Sequence, residues 1–234
     1  MIDKTVNLME AVSGIGDGAS VMVGGFGAPG TPFSLLDALL ESGAKDLTLI
    51  KNEGNEPGMG ISKLVEAGRI KKLIASHLGL NRIVIEMMNE GTLEVEIYPQ
   101  GILAEKIRAG GAGLFGFLTD IGIDTDIVRQ TKKLMEFQGR EVIVEPALTA
   151  DVALIRAACA DKYGNLRFEK TARNFCPLMA TAADLVVAET MQVVETGDID
   201  PDSIHTPGAF VDRVALVAEP HWEYGVLENH VLEE

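Results

Sequence analysis

Val21-Met22-Val23 is a short apolar run that ends in Gly24-Gly25-Phe26-Gly27-Ala28-Pro29-Gly30 and passes, at Thr31-Pro32, into a helical pattern. This junction constrains the fold more than any other stretch. A strand that runs straight into a helix cannot pair with its successor through a hairpin, so the chain returns as a parallel strand. The unit recurs. Phe33, Leu35, Leu36, Leu39 and Leu40 make one helical face that stops near Gly43, and Leu47-Thr48-Leu49-Ile50 is a strand of the buried kind. Spacing predicts a first helix within 5–14 and further helices over 62–68, 81–90, 102–109 and 174–183. Strands are expected over 72–75, 93–97, 141–145, 152–155, 185–189 and 213–217, with a hairpin turn at Asp161–Asn165. The less regular stretch 118–150 suits a small antiparallel flap. The pattern as a whole predicts an α/β fold: one domain over 1–234 with an open, mostly parallel sheet, helices on both faces and that flap.

The 234 residues are enough for a full core. A hydrophobic share of 47% is slightly oily and favours a buried interface with another chain, although a large core would give the same figure. A formal net charge of −15 opposes binding to nucleic acid and to anionic membranes, both of which need Lys and Arg. Residues 1–10 carry Asp3, Lys4, Asn7 and Glu10 and so do not resemble a secretory signal. No apolar run approaches the roughly 18 residues of a membrane helix. Cys159 and Cys176 have neither metal spacing nor a partner framework, and read as reduced thiols of a cytoplasmic protein. Lys132-Lys133 reads as a solvated face.

The glycine turn lets backbone N–H groups come close to a ligand, and the helix after it aims its positive end at the same place. That suits a phosphate or a developing oxyanion, and equally a plain turn. Gly25, Gly27 and Gly30 fit the short dinucleotide pattern. However, Pro29 removes a donor, and the nearby acids Asp46 and Glu53 are a poor match for the ribose partner. No Gly-Lys-Ser/Thr closes the loop, which excludes a nucleotide P-loop.

Taken whole, Asp17-Gly18 through Gly30-Thr31-Pro32 resembles the signature of the A-type (alpha) half of family I CoA-transferases, of the 3-oxoacid, acetoacetate and butyrate type. The likeness extends through Gly91–Gly101, Leu103–Gly113, Ala150–Ala157, Ala160–Leu166, Thr171–Phe175, His205–Gly208 and Phe210–Arg213. It implies an enzyme that moves CoA between short-chain or 3-oxo carboxylic acids such as acetoacetate, acetate or butyrate, as in fatty acid and ketone-body metabolism. The course is ping-pong through a glutamyl-CoA thioester. CoA is a substrate, and no other cofactor and no metal is implied.

In that family the nucleophilic glutamate belongs to the B-type (beta) chain, within Ser-Glu-Asn-Gly. Here Glu228-Asn229 is followed by His230, and Glu53-Gly54-Asn55 has another order, so no catalytic nucleophile is expected in this chain. The implied partner is the B-type CoA-transferase chain in a hetero-oligomer such as a heterotetramer. That partner is also a natural source of positive charge for the CoA diphosphate.

The resemblance assigns Gly24, Gly25, Phe26, Gly27, Ala28, Pro29, Gly30 and Gln100 to CoA or substrate binding. Read from the residues alone, Phe26 suits a core plug or a ligand contact. Gln100 follows a predicted strand, where its amide would either donate to a carboxylate or thioester oxygen or cap a turn. Asn52, Glu53 and Ser76 are weaker candidates at carboxyl ends of strands, Glu53 being either a rival nucleophile or a surface-loop residue. His77 reads as a satisfied structural histidine and His205 as a turn-fixing one. Arg173 and Asn174 would bind an anion or enter an internal ion pair. Leu118–Thr125 departs from the family's Thr-Pro-Thr-Gly-x-Gly-Thr and bears on the shape of the acyl pocket. Cys176 stands where an asparagine is common. Two other readings remain: a sugar-phosphate isomerase of related fold using Glu53 or Asp151, and a non-enzymatic metabolite-sensing domain.

Overall fold

The computed structural model describes residues 2–224. Strand β1 (Thr5–Val6) precedes helix α1 (Leu8–Val12), and three βα units follow: β2 (Ser20–Val23) with α2 (Phe33–Ser42), β3 (Leu47–Ile50) with α3 (Ile61–Glu66), and β4 (Ile70–Ala75) with α4 (Arg82–Glu90). Then come β5 (Glu94–Ile97), α5 (Gln100–Gly111), β6 (Gly116–Thr119), α6 (Asp126–Thr131), β7 (Leu134–Phe137) and β8 (Arg140–Pro146). The last part holds β9 (Ala150–Arg156), β10 (Cys159–Asp161), β11 (Leu166–Arg167), α7 (Cys176–Thr181), β12 (Ala183–Thr190), β13 (Val193–Val194) and β14 (Arg213–Leu216).

Eight strands form the main sheet in the order β1-β14-β12-β9-β2-β3-β4-β5. Every pairing within it is parallel. The two-residue period of a strand divides the core into two. Val21, Val23, Leu49, Leu73 and Leu154 point to one face, where they pack with residues of α1 to α4. Met22, Ile50, Ile74, Ala153 and Ile155 point to the other, against Leu103 and Ile107 of α5 and Met179 of α7. Helices therefore cover both faces, which is why these strands carry continuous apolar runs instead of alternating ones.

From β2 the chain winds outward through β3, β4 and β5. From β9 it winds the opposite way through β12 and β14. The direction reverses between β2 and β9, which are hydrogen-bonded neighbours from Val21 opposite Val152 to Val23 opposite Leu154. In open sheets of this kind ligands bind beyond the carboxyl ends of the strands at such a switch point.

The expected flap is the antiparallel sheet β6-β8-β7. Several boundaries differ from the sequence reading. The first segment splits into β1 and α1, because Asn7 takes the Glu10 N–H at 2.9 Å and starts the helix only there. The helix expected over 174–183 shrinks to α7, because Asn174 has φ 19 and ψ −119, outside the helical region. Lys132 is half-buried, with Nζ 3.2 Å from buried Glu145, and is not simply a solvated charge. Among the described residues no helix is long and apolar enough to cross a membrane. Glu228, Asn229 and His230 lie outside the described residues.

Candidate active site

The carboxyl ends of β2, β3, β4 and β5 bring the glycine turn, Lys51-Asn52-Glu53, Ser76-His77 and Tyr98-Pro99-Gln100 to one edge of the sheet. Polar side chains distant along the chain meet there. Gln100, the first residue of α5, donates from Nε2 to Asn52 Oδ1 at 2.7 Å. Ser76 donates from its hydroxyl toward both the Asn52 main-chain oxygen and Oδ1, each at 2.9 Å. Asn52 Nδ2 donates to Glu53 Oε2 at 2.6 Å. The other Glu53 oxygen takes Lys51 Nζ and, at 3.3 Å, Asn55 Nδ2. Asn55 also lies 3.4 Å from the Gly27 carbonyl and so ties this cluster to the glycine turn.

Glu53 is therefore no surface-loop residue. It is 4% exposed, and Lys51 beside it is fully buried. With both oxygens engaged it is also badly placed to attack a substrate. Gln100 itself is exposed. Among the described residues its side chain makes the one hydrogen bond to Asn52, which leaves one amide hydrogen and the amide oxygen facing outward.

The glycine turn is used differently from the sequence reading. Gly24, Gly25 and Gly30 are close-packed by their own chain. A Cβ on Gly24 would sit 2.6 Å from Cys176 Sγ, one on Gly30 would meet the Ala172 oxygen at 2.5 Å, and one on Gly25 would collide with Thr31. Three N–H groups are consumed internally: Gly24 on Leu154 O at 2.9 Å, Gly25 on Asn174 Oδ1 at 3.1 Å and Phe26 on Pro29 O at 3.1 Å. Among the described residues Gly27, Ala28 and Gly30 keep N–H groups free of such bonds, and of the two glycines only Gly27 is uncrowded, a Cβ there meeting Pro29 Cδ at an ordinary 3.8 Å. Phe26 is 52% exposed and plugs no core.

The positive end of α2 is not offered to a ligand either. Glu189, at the end of β12, accepts the Leu35 N–H at 3.0 Å, so a carboxyl group of this chain already occupies that helix terminus. Burial pushes the Glu189 carboxyl up to about 7, against the opposing pull of the Leu35 N–H and of Arg156.

Asn174 is a clamp and enters no ion pair. Its oxygen takes the Gly25 and Phe175 N–H groups, and its amide donates to Pro29 O and Thr171 O, both at 2.9 Å. Arg173 is exposed and forms no ion pair among the described residues. His205 Nδ1 accepts the Phe168 N–H at 2.9 Å, as suits a turn-fixing residue. His77 is exposed, and its main chain bridges to Glu53. Asp151 holds Ser20 at the amino end of β9, on the opposite edge from this cluster. Cys159 and Cys176 are buried free thiols, and burial pushes Cys176 up to about 11.

Two cavities flank the cluster. One of about 750 Å³ lies at the switch point beside Pro29, with Arg156, Arg167 and Lys170 in its wall. This chain thus brings cations of its own to the site, although Arg156 faces Glu189 at 3.9 Å and Arg167 faces Glu169 at 3.3 Å. The second, about 430 Å³, opens between Tyr98, Pro99 and Ile102 on one side and Ile121, Ile127 and Val128 of the flap region on the other. The divergent segment 118–125 forms part of its roof.

Sequence reasoning missed Lys51, Asn55 and Glu189. Lys51 and Asn55 flank candidates in the polar run Lys51-Asn52-Glu53-Gly54-Asn55 directly after an apolar strand, which was an available signal. Glu189 closes a strand in the same way.

A sequence profile for coenzyme A transferases matches residues 5–216. The alpha chain of the acetate CoA-transferase of Escherichia coli K12 is 46% identical over 219 residues, covering 94% of this chain and 99% of that protein. The A chain of the succinyl-CoA:3-ketoacid coenzyme A transferase of Helicobacter pylori J99 is 45% identical over 208 residues, 89% of each chain. An acyl-CoA transferase of Escherichia coli O157:H7 (YdiF), solved as a thioester complex with CoA, superposes with a TM-score of 0.85 at 26% identity. The match covers 96% of this chain and 49% of that one, so the chain spans about half of that enzyme.

Proposed function

Because the chain belongs to the coenzyme A transferase family, in its A (alpha) type, we propose that it forms half of an active site completed by a B-type partner chain. The substrates are short-chain or 3-oxo acids and their CoA thioesters. The observation that carries this reading is the Asn52–Gln100 amide pair at the carboxyl edge. It is a positioned donor on an exposed side chain, and the carboxylate next to Asn52, Glu53, is locked in an internal ion pair.

The chemistry follows from that division. A partner glutamate carboxylate attacks the thioester carbonyl, the C–S bond breaks, and CoA leaves as a thiolate with a mixed anhydride behind it. The thiolate then attacks the glutamyl carbonyl and releases the first acid, and the glutamyl thioester passes CoA to the second acid by the reverse steps. Each acyl transfer builds negative charge on a carbonyl oxygen, and the outward hydrogen of Gln100 and the Gly27 N–H are donors suited to meet it. Nothing in these steps calls for a metal or for a cofactor other than CoA as substrate. The apolar cleft beside Tyr98 and Pro99 suits the acyl tail, and the exposed Phe26 suits contact with the partner.

The test is reconstitution. The purified chain alone should move no CoA between acids, and addition of the B-type chain should restore transfer. Hydroxylamine or borohydride trapping during turnover should modify the partner only. Transfer by this chain unaided, with the thioester on one of its own side chains, refutes the reading.

A further inference from the structure

We propose that Glu53 is a positioning residue whose charge, fixed by Lys51, dictates through Asn52 which way the Gln100 amide points. The proposal rests on the reading above, in which Gln100 donates to the reacting oxygen.

Hydrogen-bond polarity sets the direction of the row. A carboxylate can only accept, so Glu53 Oε2 at 2.6 Å requires Asn52 to turn its NH₂ group inward. Asn52 Oδ1 must then face the other way, and an amide oxygen can only accept. The Gln100 side chain, 2.7 Å from Oδ1, therefore has to present its own NH₂. One hydrogen of that group is spent on Asn52, and the second is held in the amide plane, directed out of the exposed side chain. Ser76 cannot set this direction, because a hydroxyl donates or accepts as required. The orientation of the whole row depends on one negative charge at its buried end.

The burial makes the same point from energetics. Lys51 is fully buried and Glu53 is 4% exposed. A buried ion pair is a weak source of stability, since an apolar pair of similar volume does as well or better. Its presence at the end of β3, one residue from the amide that Gln100 leans on, is explained by direction. If residue 53 were a neutral amide, Asn52 and Gln100 could both reverse without losing a hydrogen bond. A carbonyl oxygen would then stand where the transition state needs a donor.

The experiment uses the chain assembled with its partner and measures kcat and KM for wild type, Glu53→Gln, Lys51→Met/Glu53→Gln, Gln100→Ala, Glu53→Gln/Gln100→Ala and Lys51→Met/Glu53→Gln/Gln100→Ala. The charge-neutral double variant leaves no buried ion unpaired, so it carries the comparison if Glu53→Gln alone fails to assemble. Expected is a fall in kcat of about 10- to 100-fold for loss of the Glu53 charge, the scale of a misplaced reacting group. KM should stay within about threefold, since ground-state binding is not removed. In the Gln100→Ala background the same substitution should cost no further activity. Wild-type kcat in both Glu53→Gln and Lys51→Met/Glu53→Gln overturns the proposal. So does an equal loss with and without Gln100, which would make Glu53 a structural residue only. A wild-type complex that transfers no CoA overturns the functional reading before any variant is compared.

Discussion

Glu189 is the side chain whose burial has the most direct consequence for stability. Its carboxyl is raised from 4.5 to about 7 by burial, while one oxygen caps α2 through the Leu35 N–H. Between those two values the folded state holds a proton that the unfolded chain has released. Stability therefore falls as pH rises from about 4.5 toward 7, then levels off. Glu189→Gln keeps an oxygen for Leu35 and removes the titration. It should gain on wild type by up to about 3 kcal/mol between pH 5 and 8, read as diverging melting temperatures across that range. Parallel melting curves would show that the buried carboxyl is not raised. Gly25 gives a second expectation: at φ 107, with Thr31 in the space a Cβ would fill, Gly25→Ala should destabilise by about 1–3 kcal/mol and disorder the loop. A melting temperature within a degree of wild type would count against it. That Asn52, Ser76 and Gln100 share one sheet edge was legible in the sequence, because Asn52 and Ser76 directly follow apolar strands and Gln100 follows the alternating strand β5, at the carboxyl ends where α/β sites gather. The tasks of Asn174 and Glu189 were not legible, because their partners lie 149 and 154 positions away along the chain.

Elements with strong periodicity were legible to within a residue or two, as with β3 and α2, whereas those built by tertiary contact were not. Helix α5 begins at Gln100 because Pro99 ends the strand's hydrogen bonding and suits the position before a helix, so the candidate amide sits on a rigid helix start and not in a loop. Helix α6 and strand β7 escaped notice because neither carries a buried stripe: among the described residues α6 has no buried side chain. Of the two, α6 roofs the apolar cleft against Tyr98, Pro99 and Ile102 through Ile127, Val128 and Thr131. If the acyl tail lies there, Val128→Trp should shorten the accepted chain. Since each methylene a pocket accepts is worth about 10-fold or more in kcat/KM, butyryl-CoA should lose at least that factor relative to acetyl-CoA in the reconstituted enzyme. An unchanged butyryl-to-acetyl ratio would place the tail elsewhere.

At the scale of the molecule, the alternation of strands and helices predicted a parallel sheet covered on both faces, and the main sheet is parallel throughout. Strand order was not legible. Apolar strands carry no mark of which neighbour they take, so the reversal between β2 and β9 is visible only in three dimensions. That reversal explains why the glycine turn, the Asn52–Gln100 pair and the larger cavity share one edge. Phe26 stands on that edge, 52% exposed, next to glycines that are packed from behind by Thr31, Cys176 and Ala172. A large aromatic side chain held out on a rigid turn has the character of an interface anchor, and such residues typically contribute about 2 kcal/mol or more to association. Phe26→Asp should therefore leave the melting temperature of this chain unchanged, because no core contact is lost. It should weaken assembly with the B-type partner by about 30-fold or more and lower transfer activity at dilute concentrations, with recovery as the partner is raised to saturation. Sedimentation of titrated mixtures reads the affinity directly. Wild-type assembly with lost activity would instead make Phe26 a substrate contact.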